Sequence, residues 1–253
     1  MLYFVLEGGC SVRISCFFEV RKIPICYRMA VVSIIKDALR TSDKQYYNRL
    51  YGDAKQVTKP FVFSTYLRNF HMGDKEIELD GLSVTISSPD YEFLLHLYNG
   101  LQKKERFLYK EFCFEKRRLR FVKEKDVNSS TIVFRTLSPI LIENEQGAPV
   151  SPDDSNYERH VNYLANLILS RYRGIGLKRH LYVRPIRYKK VIIKESNHQF
   201  VERHSDDKYL YFTAYNGLFE LMGHPEDLGL LYQLGLSKRR NQGFGQLEIE
   251  EVK

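Results

Sequence analysis

Lys75-Glu-Ile-Glu-Leu-Asp-Gly-Leu-Ser-Val-Thr-Ile-Ser87 reads as two strands, Lys75–Leu79 and Leu82–Ser87, folded back on each other at Asp80-Gly81. An Asp-Gly pair tolerates the positive backbone angles of a tight hairpin, so it is a strong turn signal. After it, Ser88-Pro89-Asp90 opens a helix to about Leu101, since proline suits a first helical turn. Leu108–Val122 is strand-like. Before it, Pro60–Tyr66 (PFVFSTY) reads as a strand, and Ser42-Asp43 caps a short helix through about Tyr51. Arg28–Arg40 places Val31, Ile34, Ile35, Ala38 and Leu39 at helical spacing. Val12–Val20 is a β-branched and aromatic strand ended by Pro24. The order strand, helix, strand, strand, helix, strand is the split-βαβ, ferredoxin-like order.

The second half repeats it. Thr131–Ile142 is a strand bent at Pro139, and Asp153–Arg173 is a helix with Tyr157, Val161, Leu164, Ile168 and Tyr172 on one face. Leu181–Ile193 and Tyr209–Asn216 are strands, Pro225–Leu234 a short helix and Phe244–Val252 a last strand. The expected architecture is α+β: two tandem ferredoxin-like domains, 1–125 and 126–253, meeting at the polar stretch Lys125–Ser130.

Lysine and arginine outnumber acids 39 to 31 in 253 residues, for a net charge of +8. That balance points to nucleic acid first and to an anionic membrane second. The apolar start Met1–Leu6 is too short for a signal peptide or a bilayer span, and no other stretch reaches membrane length. Cys10, Cys16, Cys26 and Cys113 lack C-x-x-C spacing, which predicts reduced thiols in a cytoplasmic protein without zinc. His198, His204, Asp206 and Asp207 match no metal-ligand spacing, and Gly174-Ile-Gly176 lacks the third glycine of a dinucleotide fingerprint. No metal or other cofactor is expected.

Gly235-Leu-Ser-Lys-Arg-Arg-Asn-Gln-Gly-Phe-Gly245 is the most informative segment for function. Gly235, Gly243 and Gly245 bracket a basic loop between a helix and the last strand. Glycine lets backbone amides approach phosphate, and Lys238, Arg239 and Arg240 supply charge. Arg171–Lys194 adds nine cations and no acid, Arg184, Arg187 and Lys189 among them, with Tyr172, Tyr182 and Tyr188 interleaved. Cations beside rings suit single-stranded or looped RNA. Lys116-Arg-Arg-Leu-Arg120 is a further basic stretch. A bland reading stands beside this one: charge runs are commonly solvated faces.

The glycine-rich loop resembles the signature of the repeat-associated RNA-binding superfamily of CRISPR proteins, and within it the Cas-six endoribonucleases. Lys59-Pro-Phe-Val-Phe-Ser64 looks like that family's second-strand motif, and Phe134-Arg-Thr-Leu-Ser-Pro-Ile140 like the strand opening its second domain. The resemblance spans residues 12–253. It implies a protein that binds CRISPR repeat RNA and cuts it without metal, the 2′-hydroxyl attacking the next phosphate to leave a 2′,3′-cyclic phosphate. Many relatives carry a histidine on the second helix. Here Asp43–Tyr51 offers Tyr46, Tyr47 and Tyr51 instead. The implied catalytic set is Tyr51, Lys36 and Lys59, with Tyr47 in reserve and His71 as an outside candidate. A phenol is a poor base at neutral pH, so cutting should be slow and lean on orientation and lysine charge. Two alternatives stay open: a binding module of the same fold, either a non-cutting subunit of a CRISPR effector or a relative that has lost activity, and an unrelated two-domain RNA-binding protein, for which aromatics on the central strands would argue and Phe61 and Phe63 are too weak a signal. Partnership with other effector subunits and a homodimer are also left open.

Overall fold

The computed structural model describes residues 12–52, 58–195 and 209–253. β1 (Val12–Glu19) alternates buried and half-buried residues and lies at the centre of a sheet, with β6 (Gly81–Ser87) on one side and β8 (Phe112–Lys123) on the other, both antiparallel. β3 (Val62–Arg68) pairs with β6 and β7 (Arg106–Tyr109) with β8, giving the order β3-β6-β1-β8-β7. Among the described residues this half carries three helices: α1 (Tyr27–Ser42), α2 (Lys44–Tyr51) and α3 (Tyr91–Lys103). The apolar stripe of α1, including Val31, Ile34, Ile35, Ala38 and Leu39, is buried with Phe61, Phe63, Phe93 and Phe114. The α1–α3 contact is so close that a Cβ on Gly100 would stand 1.8 Å from the Ala38 carbonyl oxygen. Asp43 caps α2 as expected, its Oδ1 accepting from the Tyr46 amide at 2.8 Å.

The hairpin expected at Asp80-Gly81 does not form. β5 (Glu76–Glu78) instead pairs with β2 (Lys22–Pro24) and β4 (His71–Met72) in a small separate sheet. A strand has only two edges, and β1 and β3 claim both edges of β6, so Lys75–Leu79 must pair elsewhere. The true hairpin is β3–β6, with β4 and β5 of the small sheet inserted in its connection; Gly81 lies opposite Arg68, and the Asp80 amide donates to the Arg68 carbonyl at 2.8 Å. Leu108–Val122 is likewise two strands rather than one, with Lys110 at φ 52° in the turn between β7 and β8.

The second sheet contains β9 (Thr131–Thr136), β10 (Tyr182–Glu195), β11 (Leu210–Met222) and β12 (Leu247–Val252), in the order β10-β11-β9-β12. Numbering the principal strands of each half in chain order gives 2-3-1-4 twice, so the chain is two tandem ferredoxin-like units. Regular pairing of β9 stops at Thr136, short of the expected Ile142, and the chain touches the sheet again where Ile140 bridges Tyr215. α4 (Tyr157–Arg173) and α5 (Pro225–Leu234) pack against Ile132, Phe134, Phe219 and Leu221. No described helix is long and apolar enough to cross a membrane.

Residues 124–130 join the sheets without strand or helix, yet the junction is anchored. Arg13 of β1 is 2% exposed; its Nε donates to Glu124 at 2.8 Å, Nη1 to Glu248 at 2.9 Å and Nη2 to the Leu247 carbonyl at 2.8 Å. Ser87 donates to the same Glu124 oxygen as Arg13, and Gln233 donates to the other.

Candidate functional site

α1, α2 and the segment leading into β3 bring four of the expected catalytic residues together. The Lys36 ammonium lies 4.8 Å from the centre of the Tyr51 ring and the Lys59 ammonium 5.1 Å from it. Tyr47, one helical turn before Tyr51, stacks on that ring at 5.4 Å. The Tyr51 hydroxyl is buried and has no hydrogen-bond partner among the described residues. Burial, then the neighbouring Tyr47, pushes the Tyr51 phenol well above its ordinary range, so it holds its proton. Burial and then repulsion from Lys36 push Lys59 the other way, making its proton easier to release. His71 does not join the cluster. It is exposed on β4, beyond the Arg68 end of β3, while Lys59 precedes the Val62 end; a seven-residue strand separates those ends by roughly 20 Å. Sequence reading missed another histidine: His96 of α3 stacks on Tyr46 at 4.3 Å and hydrogen-bonds Ser42 at 3.3 Å, an approach no sequence spacing discloses.

The glycine-rich loop differs from its sequence reading in purpose. Gly235, Gly243 and Gly245 all have positive φ, but their bare Cα atoms face protein. A Cβ on Gly235 would stand 2.7 Å from Val62, and one on Gly243 2.8 Å from the Phe63 ring. Gly235 and Gly243 therefore let the loop of one half press onto β3 of the other, and Gly245 lets the loop close on its own Leu236 and Ser237. Amides of Leu236, Lys238 and Gly245 are bonded to the carbonyls of Gly245, Leu141 and Pro139, so they are not held open for phosphate. Arg240 also departs from expectation: it is buried, its Nη1 donates to the Leu234 carbonyl at 2.6 Å and so caps the end of α5, and burial lowers its pKa to about 10. Lys238 is half-buried and paired with Glu143 at 2.8 Å, whereas Arg239 is exposed over the Phe212 ring at 4.3 Å.

The basic run divides similarly. Arg184 pairs with Glu220 at 2.8 Å across β10 and β11. Arg187 and Lys189 are exposed on β10, an edge strand, and strand alternation puts Lys189 on the same sheet face as Val191, Phe212 and therefore Arg239. In Lys116–Arg120, Lys116 donates to the Leu101 carbonyl and Arg117 pairs with Glu19 and Glu115, while Arg118 and Arg120 line a groove with Phe17 and Tyr66 on the first sheet. Phe61 and Phe63 are fully buried, which removes them as a base platform. Gly174 is the left-handed cap of α4. Residues 1–11, Cys10 among them, and His198, His204, Asp206 and Asp207 lie outside the described residues; among those described, no His, Cys, Asp or Glu group could hold a metal. Cys16 and Cys26 are buried and Cys113 is exposed, all as free thiols.

One cleft of about 780 Å³ gathers these parts. Lys59 lines it with Lys238, Arg239 and Arg240, with Arg171 and Tyr163 from α4, and with Glu143, the partner of Lys238. Thus the catalytic candidate and the loop cations share one concave, largely basic space between the halves. Tyr163 is 67% exposed and was overlooked in the sequence; its position opposite the buried stripe of α4 was the available signal.

A family model described as "CRISPR associated protein Cas6, C-terminal" matches residues 122–249. Among solved structures, the chain is similar to one described as an RAMP protein binding different RNA substrates, with a TM-score of 0.75 at 20% identity over 95% of this chain and 100% of that one. It is similar to the product of a Cas6-related gene from Pyrococcus furiosus, with a TM-score of 0.74 at 19% identity over 96% and 100%. A third structure, described as CRISPR associated protein Cas6, has a TM-score of 0.70 at 19% identity over 95% and 100%. These likenesses establish the fold. No curated protein sequence matches. The family model covers half of the chain, across the junction, the second sheet and the glycine-rich loop, and the chain belongs to the CRISPR-associated Cas6 family.

Proposed function

We propose that this chain binds CRISPR repeat RNA in the cleft between its two halves and cuts it, without metal, to release guide RNAs. The observation that carries this reading is the position of Lys59, which lines the cleft with Lys238 and Arg239 while its ammonium shares the Tyr51 ring with Lys36. Cations along the cleft would neutralise phosphates, and Tyr163 offers a ring for a base. In the reaction the 2′-oxygen forms a bond to phosphorus, its proton passes to water, and the bond from phosphorus to the 5′-oxygen breaks. Lys59, its pKa lowered, gives a proton to that leaving oxygen. Lys36 stabilises the charge on the phosphorane. Tyr51 keeps its phenolic proton and so orients rather than acts as base. The Pyrococcus furiosus relative and the product complexes of other Cas6 proteins make RNA processing the natural activity to test.

A second reading has its own observation. α2 has no histidine, and the Tyr51 hydroxyl is buried, which suits a family member that binds the repeat without cutting it. Incubation with the repeat RNA of its host's own array in EDTA separates the two. One cut per repeat, with a cyclic phosphate end and abolished by a 2′-deoxy nucleotide before the cut, supports the enzyme. Lys59→Ala should then slow single-turnover cutting at least tenfold with little loss of binding. Tight binding with no product under any condition would establish the non-cutting reading.

A further inference from the structure

A second groove opens where Lys36 of the Lys36–Tyr51–Lys59 cluster meets β7. It has a volume of about 570 Å³ and is lined by Lys36, Arg40 and Asp37 of α1, by Lys104, and by Arg106 of β7, with Cys113 of β8 at its wall. Four cations face one acid there. Lys36 belongs to both this groove and the Tyr51 cluster, as Lys59 belongs to both that cluster and the interdomain cleft. Lys36 and Lys59 thus link this groove to the interdomain cleft through the Tyr51 ring that both ammonium groups approach. Several of these cations already have partners: Lys104 with Asp37, Arg106 with Glu115 at 3.1 Å, and Arg40 with the Tyr47 hydroxyl at 2.9 Å. All of those partners sit at the surface or half-exposed, where ion pairs contribute little and exchange readily for a phosphate.

We propose that the groove between α1 and β7, lined by Lys36, Arg40, Lys104 and Arg106, holds the phosphodiester backbone of the repeat RNA on the side of the scissile phosphate away from the interdomain cleft. A strand that is cut must be held on both sides of the cut, or the reacting phosphate swings out of line. The cleft supplies one hold and this groove the other. The groove offers charge with little exposed aromatic surface, so it grips backbone without reading sequence. This assignment rests on the repeat-binding reading above.

The test uses the full chain and its host's repeat RNA, carrying a 2′-deoxy nucleotide before the cut so that binding is read without cleavage. Two half-repeats, each ending at the cut, are measured beside it. Lys104→Ala with Arg106→Ala should weaken full-repeat binding roughly tenfold at ~0.15 M salt and lower the log–log salt slope by about 1.4, from two lost phosphate contacts. It should weaken one half-repeat and leave the other unchanged. Cys113 in the unaltered protein gives a readout that needs no substitution: the full repeat and that same half should slow its alkylation, and the other half should not. Equal loss for both halves, no loss for either, or unchanged Cys113 alkylation with full repeat bound would overturn the assignment while leaving the cleft intact. Failure of the unaltered protein to bind the repeat at all would overturn the functional reading and this inference with it.

Discussion

Two arginine–glutamate bridges, the first buried and the second half-buried at its arginine, tie the halves together, and they are built in opposite ways. At the first, Arg13 reaches Glu124, Glu248 and the Leu247 carbonyl at 2.8–2.9 Å, and its guanidinium lies over the Tyr232 ring at 4.3 Å. Each group there has its partners. At the second, Arg28 of α1 stands 3.7 Å from Glu195 at the end of β10, too far for a hydrogen bond, and both carboxylate oxygens of Glu195 are buried without one among the described residues. A satisfied buried charge network acts as a pin, whereas an unsatisfied one is adjustable, because little is lost when it shifts or takes up a proton. The pin joins β1 to β12; the adjustable bridge lies beside Phe244 of the loop that lines the cleft. The molecule is thus fixed at the strand junction and compliant next to its candidate RNA-binding surface.

The largest expected effect tests the pin. Glu124→Ala leaves Arg13 buried with one carboxylate fewer and should cost about 3–5 kcal/mol in urea unfolding. The comparison breaks if Glu195→Ala costs as much at pH 7.5. Next comes the pH dependence of the adjustable bridge. Burial pushes the Glu195 carboxyl from its ordinary value of 4.5 up to about 7, with Arg28 opposing. Cys26 and Tyr109 lie near the same carboxyl, and burial followed by Glu195 raises the Cys26 thiol to about 11, so both stay neutral in this range. The folded chain holds the Glu195 proton more tightly than the unfolded chain does. That contribution to stability is present in full below about 4.5 and is lost as pH rises to about 7. Between pH 5 and 7.5 the wild type should lose on the order of 2 kcal/mol relative to Glu195→Gln. Parallel unfolding curves at the two pH values would show instead that Glu195 remains ionised throughout.

Neither bridge was legible in the sequence, and the reason is physical. Arg13 and Glu248 lie at opposite ends of the chain, and no local pattern reports a pairing set by how two sheets dock. Local patterns did carry the element order: the helical stripe of α1, the Asp43 cap and the α5 boundaries all depend on neighbours within a few residues. The Asp80-Gly81 reading failed because a turn signal says that the chain bends, not which strand lies alongside. The candidate site splits along the same line. Tyr47 and Tyr51 share a helix face, so their stacking follows from spacing, and the resemblance to a family brought Lys36 and Lys59 beside them. That Arg240 caps a helix, that Gly235 and Gly243 pack on β3 and that His71 sits beyond the far end of β3 were all tertiary facts.

The smallest expected effect sharpens the comparison at one position. Gly243 has φ 83°, and a Cβ there would stand 2.8 Å from the Phe63 ring and 3.3 Å from Arg28 Cδ. Gly243→Ala must hold a left-handed backbone, which costs an alanine about 1 kcal/mol, and must also relieve the 2.8 Å contact with Phe63, either by moving that ring or by shifting the loop toward Arg28 and displacing its stem. Phe63 is fully buried in a packed core, while the Arg28 stem is flexible and its ion pair already loose, so Arg28 should yield. The total cost should be about 1–2 kcal/mol, and it should depend on the bridge that Arg28 belongs to. Combined with Glu195→Gln, the substitution should cost less than alone, because the displaced guanidinium no longer leaves a charged partner behind. Combined with Glu124→Ala, the two costs should add within about 0.5 kcal/mol, because the pin shares no partner with Gly243. Unfolding of the two double variants measures this directly. Additivity with Glu195→Gln would mean that Phe63 moves instead, and that the second bridge is as rigid as the first.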